Sequence, residues 1–293
     1  MIPKWQNILY GLLLLGTTNQ LLTAGQASSP PPSSKRLVKV FLTVSGKHGS
    51  PLMPSPSELS VFVGNQPARV VSVRAAKGDQ LLFAILVDIS GSQAMEAKSI
   101  RESAWKIFEA LSNGGNRGYL VFFNNEVEMS RAPLQESKAL KALNGVEFGG
   151  GTALFDAIGE TCTQTLKNSL NLDTPRRAIL LISDGDDNES HLTAENAEEA
   201  AEEEGVAIFS LTDGTGEPRG KRVLMELSRK TGGQAIVAYN LGEGVTPLLA
   251  AINGQLALTL LPPEAAGRNP RSLVILSSEK DIRISAPSRV PLQ

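Results

Sequence analysis

From Gln80 onward the chain alternates short, almost wholly apolar runs with amphipathic segments, and that grammar leaves few folds open. A run with no polar alternation is buried on both faces, as parallel strands are when helices cover both sides of their sheet. Strands are predicted over residues 81–87, 119–123, 178–183, 206–211 and 235–239, with a short antiparallel edge strand at 127–129. The segment after the first strand carries Ala97, Ile100, Ala104, Ile107, Phe108 and Leu111 on one helical stripe, and the segment after Thr152 carries Leu154, Ile158, Cys162 and Leu166. Cys162 therefore reads as a small buried hydrophobe. A third helix, 193–204, offers only alanines to a core and stops at Gly205, a residue suited to a left-handed cap. The fold class is α/β, with a Rossmann-like, doubly wound and mainly parallel sheet.

Before residue 80 the period is two. Val38, Val40, Leu42 and Val44 alternate with Lys39, Phe41 and Thr43, and Gly64-Asn65 between the apolar runs 59–63 and 70–73 marks a hairpin. After residue 253 the stretches 256–261, 273–276 and 282–284 again read as strands. Neither flank holds enough apolar residues for a core of its own, so the two are expected to combine into one small β domain into which the α/β unit is inserted. The expected organisation is an N-terminal β segment over 37–79, an α/β domain over 80–253 and a C-terminal β segment over 254–293.

Residues 1–27 read as a secretory signal and 28–36 as a Pro/Ser-rich linker. No charge falls between Lys4 and Lys35, and the apolar run Ile8 to Gly16 is too short to cross a hydrocarbon layer of roughly 30 Å. Small residues follow, placing cleavage after Ala24 or Ala27; an uncleaved anchor over 8–22 is the alternative. The single cysteine excludes an intramolecular disulfide, which for an exported chain points to a bacterial envelope or medium. The expected location is thus secreted, periplasmic or cell-envelope, with no stable membrane span after cleavage.

Lys and Arg number 28 against 30 Asp and Glu, and the net charge of −2 gives no global attraction to nucleic acid. The balance is uneven, because residues 178–218 hold twelve acids and no Lys or Arg. This block reads as a solvated helix face, the alternative being a surface that steers a basic partner. Glu202, Glu203 and Glu204 fall at the unfavourable end of the helix dipole, and the sequence supplies no reason for them.

The chemistry is concentrated in three separate segments, two at strand ends and one at a helix start. Asp88-Ile89-Ser90-Gly91-Ser92 follows the first apolar run, Gly149-Gly150-Gly151-Thr152 opens a helix, and Ser183-Asp184-Gly185 follows a third strand. In an open parallel sheet such loops share the rim at the carboxyl ends of the strands. With two histidines and one cysteine in the chain, any metal must be held by oxygen. Asp88, Ser90, Ser92, Thr152 and Asp184 offer two carboxylates and three hydroxyls, a set suited to Mg²⁺. Two negative side chains leave the ion at most charge-balanced, so it favours one further anionic ligand, an Asp or Glu carboxylate of a protein partner.

On these motifs the chain resembles von Willebrand factor type A (vWA) domains with a complete metal-ion-dependent adhesion site (MIDAS), of the kind found in exported bacterial proteins. Residues 88–92 match the family's first motif residue for residue, Thr152 matches the second and Asp184 the third. The resemblance covers about residues 80–253. It implies a six-stranded sheet, Mg²⁺ or Mn²⁺ on those five residues, protein ligands recognised through the metal in adhesion or assembly, and in some relatives an affinity switch that moves the last helix, here about 244–252. Gln93 departs from the methionine common in relatives and lies outside the metal set. The loop 186–190 reads as a solvated acidic loop, or as a further cation site.

An enzyme is not expected. No G-x-S-x-G surrounds Ser90 or Ser92, only His48 and His191 could act as imidazole bases, and no phosphate-binding glycine loop is present. His191 reads as a surface residue before a helix and His48 as part of a β-turn. Two other readings stand beside the receptor: a structural scaffold of an envelope complex without a metal-bridged ligand, and a Mg²⁺-dependent phosphohydrolase.

Overall fold

The computed structural model describes residues 37–47, 49–167, 175–214, 216–263 and 271–290, all within one compact unit, Lys35–Gln293. The expected signal, linker and His48 lie outside the described residues.

The chain opens with strands β1 (Val38–Ser45), β2 (Leu59–Val63) and β3 (Gln66–Ala75). Gly64 and Asn65, with φ of 58° and 66°, make the hairpin between β2 and β3, the positive dihedrals that a tight two-residue turn demands. The α/β unit follows: β4 (Leu81–Asp88), α1 (Ala97–Leu111), β5 (Arg117–Phe123), β6 (Val127–Met129), α2 (Glu136–Gly145), α3 (Leu154–Glu160), β7 (Arg176–Ile182), α4 (Ala194–Glu204), β8 (Val206–Thr212), α5 (Pro218–Lys230), β9 (Ala235–Val237) and α6 (Leu241–Asn253). The chain closes with β10 (Leu256–Leu261), β11 (Arg271–Ser277), β12 (Arg283–Ser285) and β13 (Arg289–Val290).

The α/β unit holds a six-stranded sheet in the order β6-β5-β4-β7-β8-β9, parallel except for the edge strand β6. Alternation along each strand divides its side chains between two cores. Phe83, Ile85, Leu180 and Phe209 face α1, α2 and α6, whereas Ala84, Leu86, Leu181 and Ile208 face α3, α4 and α5. Every residue of β4, β7 and β8 is buried, which is why these strands show no polar alternation. The chain winds outward from β4 to β5 in one direction and from β7 to β9 in the other, so the switch point lies between β4 and β7.

The flanking strands form a second sheet in the order β12-β1-β10-β3-β2-β11-β13, whose inward side chains, among them Leu42, Val61, Leu258 and Leu273, make a third core. This sheet curls until its two edge strands, β12 and β13, are separated along the chain only by Ala286, Pro287 and Ser288. That short connection docks on the α/β unit. Ser288 N donates to Lys230 O at 3.1 Å and to Glu202 Oε1 at 2.5 Å. Arg289 pairs with Glu199 at 3.0 Å, and Thr43 Oγ1 donates to Gly232 O at 2.9 Å.

These contacts narrow the reading of α4 as a solvated face, which holds for the exposed Glu195, Glu199 and Glu203 and fails for Glu202 and Glu198. Glu202 is 5% exposed and holds the backbone of the curled sheet, while Glu198 pairs with Lys230 at 2.9 Å. Burial pushes the Glu202 carboxyl up, and the bond from Ser288 opposes that shift. Gly205, with φ of 64°, caps α4 as its sequence position implied. Cys162 is fully buried, and burial pushes its thiol well above the usual range.

Candidate functional site

Asp88 is the last residue of β4 and Asp184 stands just beyond the end of β7, so the two carboxylates flank the switch point. Both are buried, at 0% and 4% exposure. A 3-10 turn, Gly91–Glu96, carries Ser92 toward Asp184. Asp88 Oδ1 accepts Ser90 N at 3.0 Å, Ser90 Oγ lies 3.1 Å from Ser92 Oγ, and the Ser92 hydroxyl donates to Asp184 Oδ2 at 2.9 Å. One chain of hydrogen bonds thus joins four of the five sequence-predicted oxygen donors.

Thr152, the fifth, sits at 3% exposure on a loop stitched to the first. Gly149 N donates to Ile89 O at 2.8 Å and Gly91 N to Gly150 O at 3.0 Å. The glycines have a steric reason. A Cβ on Gly91 would stand 3.3 Å from Gly150 O, and Gly185, with φ of +86°, lies so close to Gly220 that a Cβ would fall 2.4 Å from its carbonyl oxygen.

Electrostatics set Asp88 apart. Burial pushes its carboxyl up to about 6, against the hydrogen bonds from Ser90 and Ser183 that favour its charge, and the Asp184 carboxylate adds to the rise. Ser183 Oγ donates to Asp88 Oδ2 at 2.7 Å and accepts Gly185 N at 3.0 Å. Asp186 is likewise raised by burial and by the charges of Asp184 and Glu217. Among the described residues no Lys, Arg or His forms an ion pair with Asp88 or Asp184, nor does any group of three or more His, Cys, Asp and Glu gather as a metal cluster. The place therefore combines two buried carboxylates, hydroxyls at their side and no protein cation. A hard divalent ion fits that donor set, since burying paired anions without a counter-charge is costly.

Four contributions escape motif reading. Gln93, which lies outside the metal set, is 8% exposed and its Nε2 donates to Asp184 Oδ2 at 2.6 Å. Asn124 and Asn125, just past β5, hold the glycine loop: Asn124 Nδ2 donates to Gly149 O at 2.9 Å and Asn125 Oδ1 accepts Gly151 N at 2.7 Å. Asn188 Oδ1 accepts Thr152 N at 2.8 Å, and Thr152 O accepts the N–H groups of Asn188 and Glu189, each at 3.0 Å. Asp187 accepts from the Ser190 hydroxyl, and Ser190 Oγ in turn accepts Phe155 N at 3.0 Å. The loop 186–190, read as solvated, is thus a brace for Thr152 and the start of α3. An Asn-Asn pair after an apolar run was the one local signal available.

The brace has a measurable consequence. Asn188→Ala leaves the Thr152 N–H without its side-chain acceptor, so stability should fall by about 1–2 kcal/mol and the Thr152 amide should exchange faster with solvent. Urea melts and hydrogen exchange read both, and protection equal to the unaltered chain's would refute the assignment.

His191 is exposed, its ring beside Asp156 Oδ2 at 3.1 Å. Bonds from the backbone N–H groups of His191 and Leu192 outweigh the effect of burial and hold the Asp156 carboxyl below its usual range.

Sheet order, the helices on both faces and the rim position of the carboxylates together define the fold of a vWA domain. Among solved structures the chain is similar to proximal thread matrix protein 1 of the mussel byssus, described with a zinc-occupied MIDAS motif, at a TM-score of 0.51 and 14% identity over 64% of this chain. It spans about half of that protein, 48%. It is also similar to an aerotolerance-related membrane protein of Bacteroides fragilis (18% identity, 59% of this chain and 98% of that one, TM-score 0.45) and to the SpRpn10 VWA domain (14% identity, 57% and 94%, TM-score 0.44). No family model and no curated protein matches the sequence. Among the described residues no helix is long and apolar enough to cross a membrane.

Proposed function

We propose that the chain is an exported, non-catalytic protein-binding module, for adhesion or assembly, in which a divalent cation held by Asp88, Ser90, Ser92, Thr152 and Asp184 accepts an acidic residue of a partner. The observation that carries this reading is the pair of buried carboxylates at neighbouring strands, linked through Ser90 and Ser92 and, among the described residues, without an ion-paired Lys, Arg or His. Bound there, the cation would supply Lewis acidity toward an incoming carboxylate. The protein's own part is to hold five oxygens on loops fixed by Asn124, Asn125 and Asn188, so that little ordering remains to be done when a ligand arrives. Met95, 97% exposed on the turn that carries Ser92, adds an apolar contact for that ligand. Mg²⁺ or Mn²⁺ suits the all-oxygen set, and Zn²⁺ enters the test because the mussel protein's motif holds it.

The test is calorimetric titration of Mg²⁺, Mn²⁺ and Zn²⁺ into the unaltered chain and into Asp88→Ala, followed by retention of envelope proteins in Mg²⁺ against EDTA. One cation site that disappears with Asp88, and retention lost both in EDTA and in the variant, are expected. Retention that survives both would make the chain a metal-independent scaffold, and sustained turnover of a phosphoester by the Mg²⁺-loaded protein would overturn the non-catalytic reading.

A further inference from the structure

The two carboxylates of the site are not equivalent as acceptors. Asp88 Oδ1 takes Ser90 N and Oδ2 takes the Ser183 hydroxyl, and the Ser90 hydroxyl also favours its charge, so every side-chain donor to Asp88 is a hydroxyl. Asp184 takes three: Asp186 N on Oδ1 at 3.1 Å, and both the Ser92 hydroxyl and the Gln93 amide on Oδ2, at 2.9 and 2.6 Å. A carboxylate offers about four lone-pair sites, two per oxygen, so Oδ2 is saturated.

The two donors on Oδ2 differ in kind. A serine hydroxyl can turn its proton aside and present its oxygen to an ion, whereas an amide nitrogen carries only hydrogens and can yield nothing to a cation. Gln93 is also held in place, being 8% exposed within the 3-10 turn Gly91–Glu96 that follows the first motif. Turning the hydroxyls aside therefore still leaves the Gln93 donor on Asp184.

We propose that Gln93 is a positioning residue of the cation site, whose side-chain amide occupies acceptor capacity on Asp184 and so leaves more of a bound cation's shell to solvent and to an incoming ligand. This rests on the cation-binding reading above and names what regulates the same site. An ion facing a pre-occupied Asp184 draws less negative charge from the protein. It keeps water that a freer carboxylate would displace, and that water occupies the positions a partner's carboxylate must take.

The experiment uses Mn²⁺ as the probe on the full chain, with Gln93→Met and Gln93→Leu as donor-free variants of similar size. Coordinated waters are counted from the broadening of the Mn²⁺ resonance in ¹⁷O-enriched water, and affinity is measured by calorimetry. Both variants are expected to hold Mn²⁺ with at least one fewer water than the unaltered chain, and about tenfold more tightly, as removal of a competing charge-assisted hydrogen bond implies. A change in packing alone would move the melting temperature in EDTA and leave the water count as it was. Equal water counts with affinities within about twofold would overturn the role of Gln93 while leaving the cation site standing. Failure of the unaltered chain to bind Mn²⁺, or binding indifferent to Asp88→Ala, would instead remove the cation reading and this inference with it.

Discussion

Replacing Asp88 by Asn should make the cation-free protein more stable at neutral pH, by about 3 kcal/mol, while abolishing its response to divalent ions. Asp88 is fully buried and its carboxyl is raised to about 6 from 3.8, so the fold prefers it protonated. The sign follows from linkage. The stability this preference contributes is fully present below pH 3.8, and it is lost as pH rises through about 6. In chelator, the variant and the unaltered chain should therefore be similar near pH 4 and diverge by pH 7.5. A cation at a hundred times its dissociation constant would return about 2.7 kcal/mol to the unaltered chain alone. Urea denaturation at the two pH values, with EDTA and with Mg²⁺, decides the matter. A difference between the two proteins that does not change with pH would sink the argument.

Gly233→Ala should cost about 3 kcal/mol or more, enough to threaten folding. A Cβ there would stand 1.9 Å from Ile208 O and 2.6 Å from Ile208 C, backbone atoms of the fully buried strand β8. Neither side can retreat, because Gly233 N is bonded to Ser228 O at 2.9 Å and Ile208 N to Thr231 Oγ1 at 2.9 Å. Gly114→Ala is the control. Its φ of +74° is strained for alanine, but nothing lies within 4 Å, so the loss there should stay near 1–2 kcal/mol. Equal destabilisation of the two variants in urea melts would show that backbone contact is not what limits position 233.

What was legible in the sequence follows from where the information sits. The cores of β4, β5, β7 and β8 were readable because burial on both faces leaves a continuous apolar run. Their N-terminal ends were not, since Arg117, Arg176 and Arg177 begin strands despite their charge. Arg176 is 3% exposed and gives its Nη1 to Ile252 O at 3.0 Å, a partner 76 positions away. The strand expected over 235–239 ends at Val237, where the chain turns into an Asn240-capped helix. Helix α2 buries only Ala139 and Leu143 and α5 is anchored chiefly by Leu224 and Leu227, too few apolar residues in either for a visible stripe. The candidate donors were legible because each lies in a local motif, at a strand end for Asp88, Ser90, Ser92 and Asp184 and at a helix start for Thr152. Gln93, Asn124, Asn125 and Asn188 carry no motif, and their roles exist only through contacts made by folding.

The curled sheet also fixes how displacement can travel through the molecule. Only Gly254 and Gln255 separate the end of α6 from β10, which lies between β1 and β3. Ala76 N is bonded to Gln255 O at 2.9 Å, so the points where the chain enters and leaves the α/β unit are fastened together. Helix α6 is therefore seated like a rod in a curled collar with two free edges, β12 and β13, and has no slack at its base. Its compliant point is Pro247, which lacks an amide hydrogen to tie it to the preceding turn. Thrust arriving from the rim would bend the rod there, and the collar would bear whatever remained.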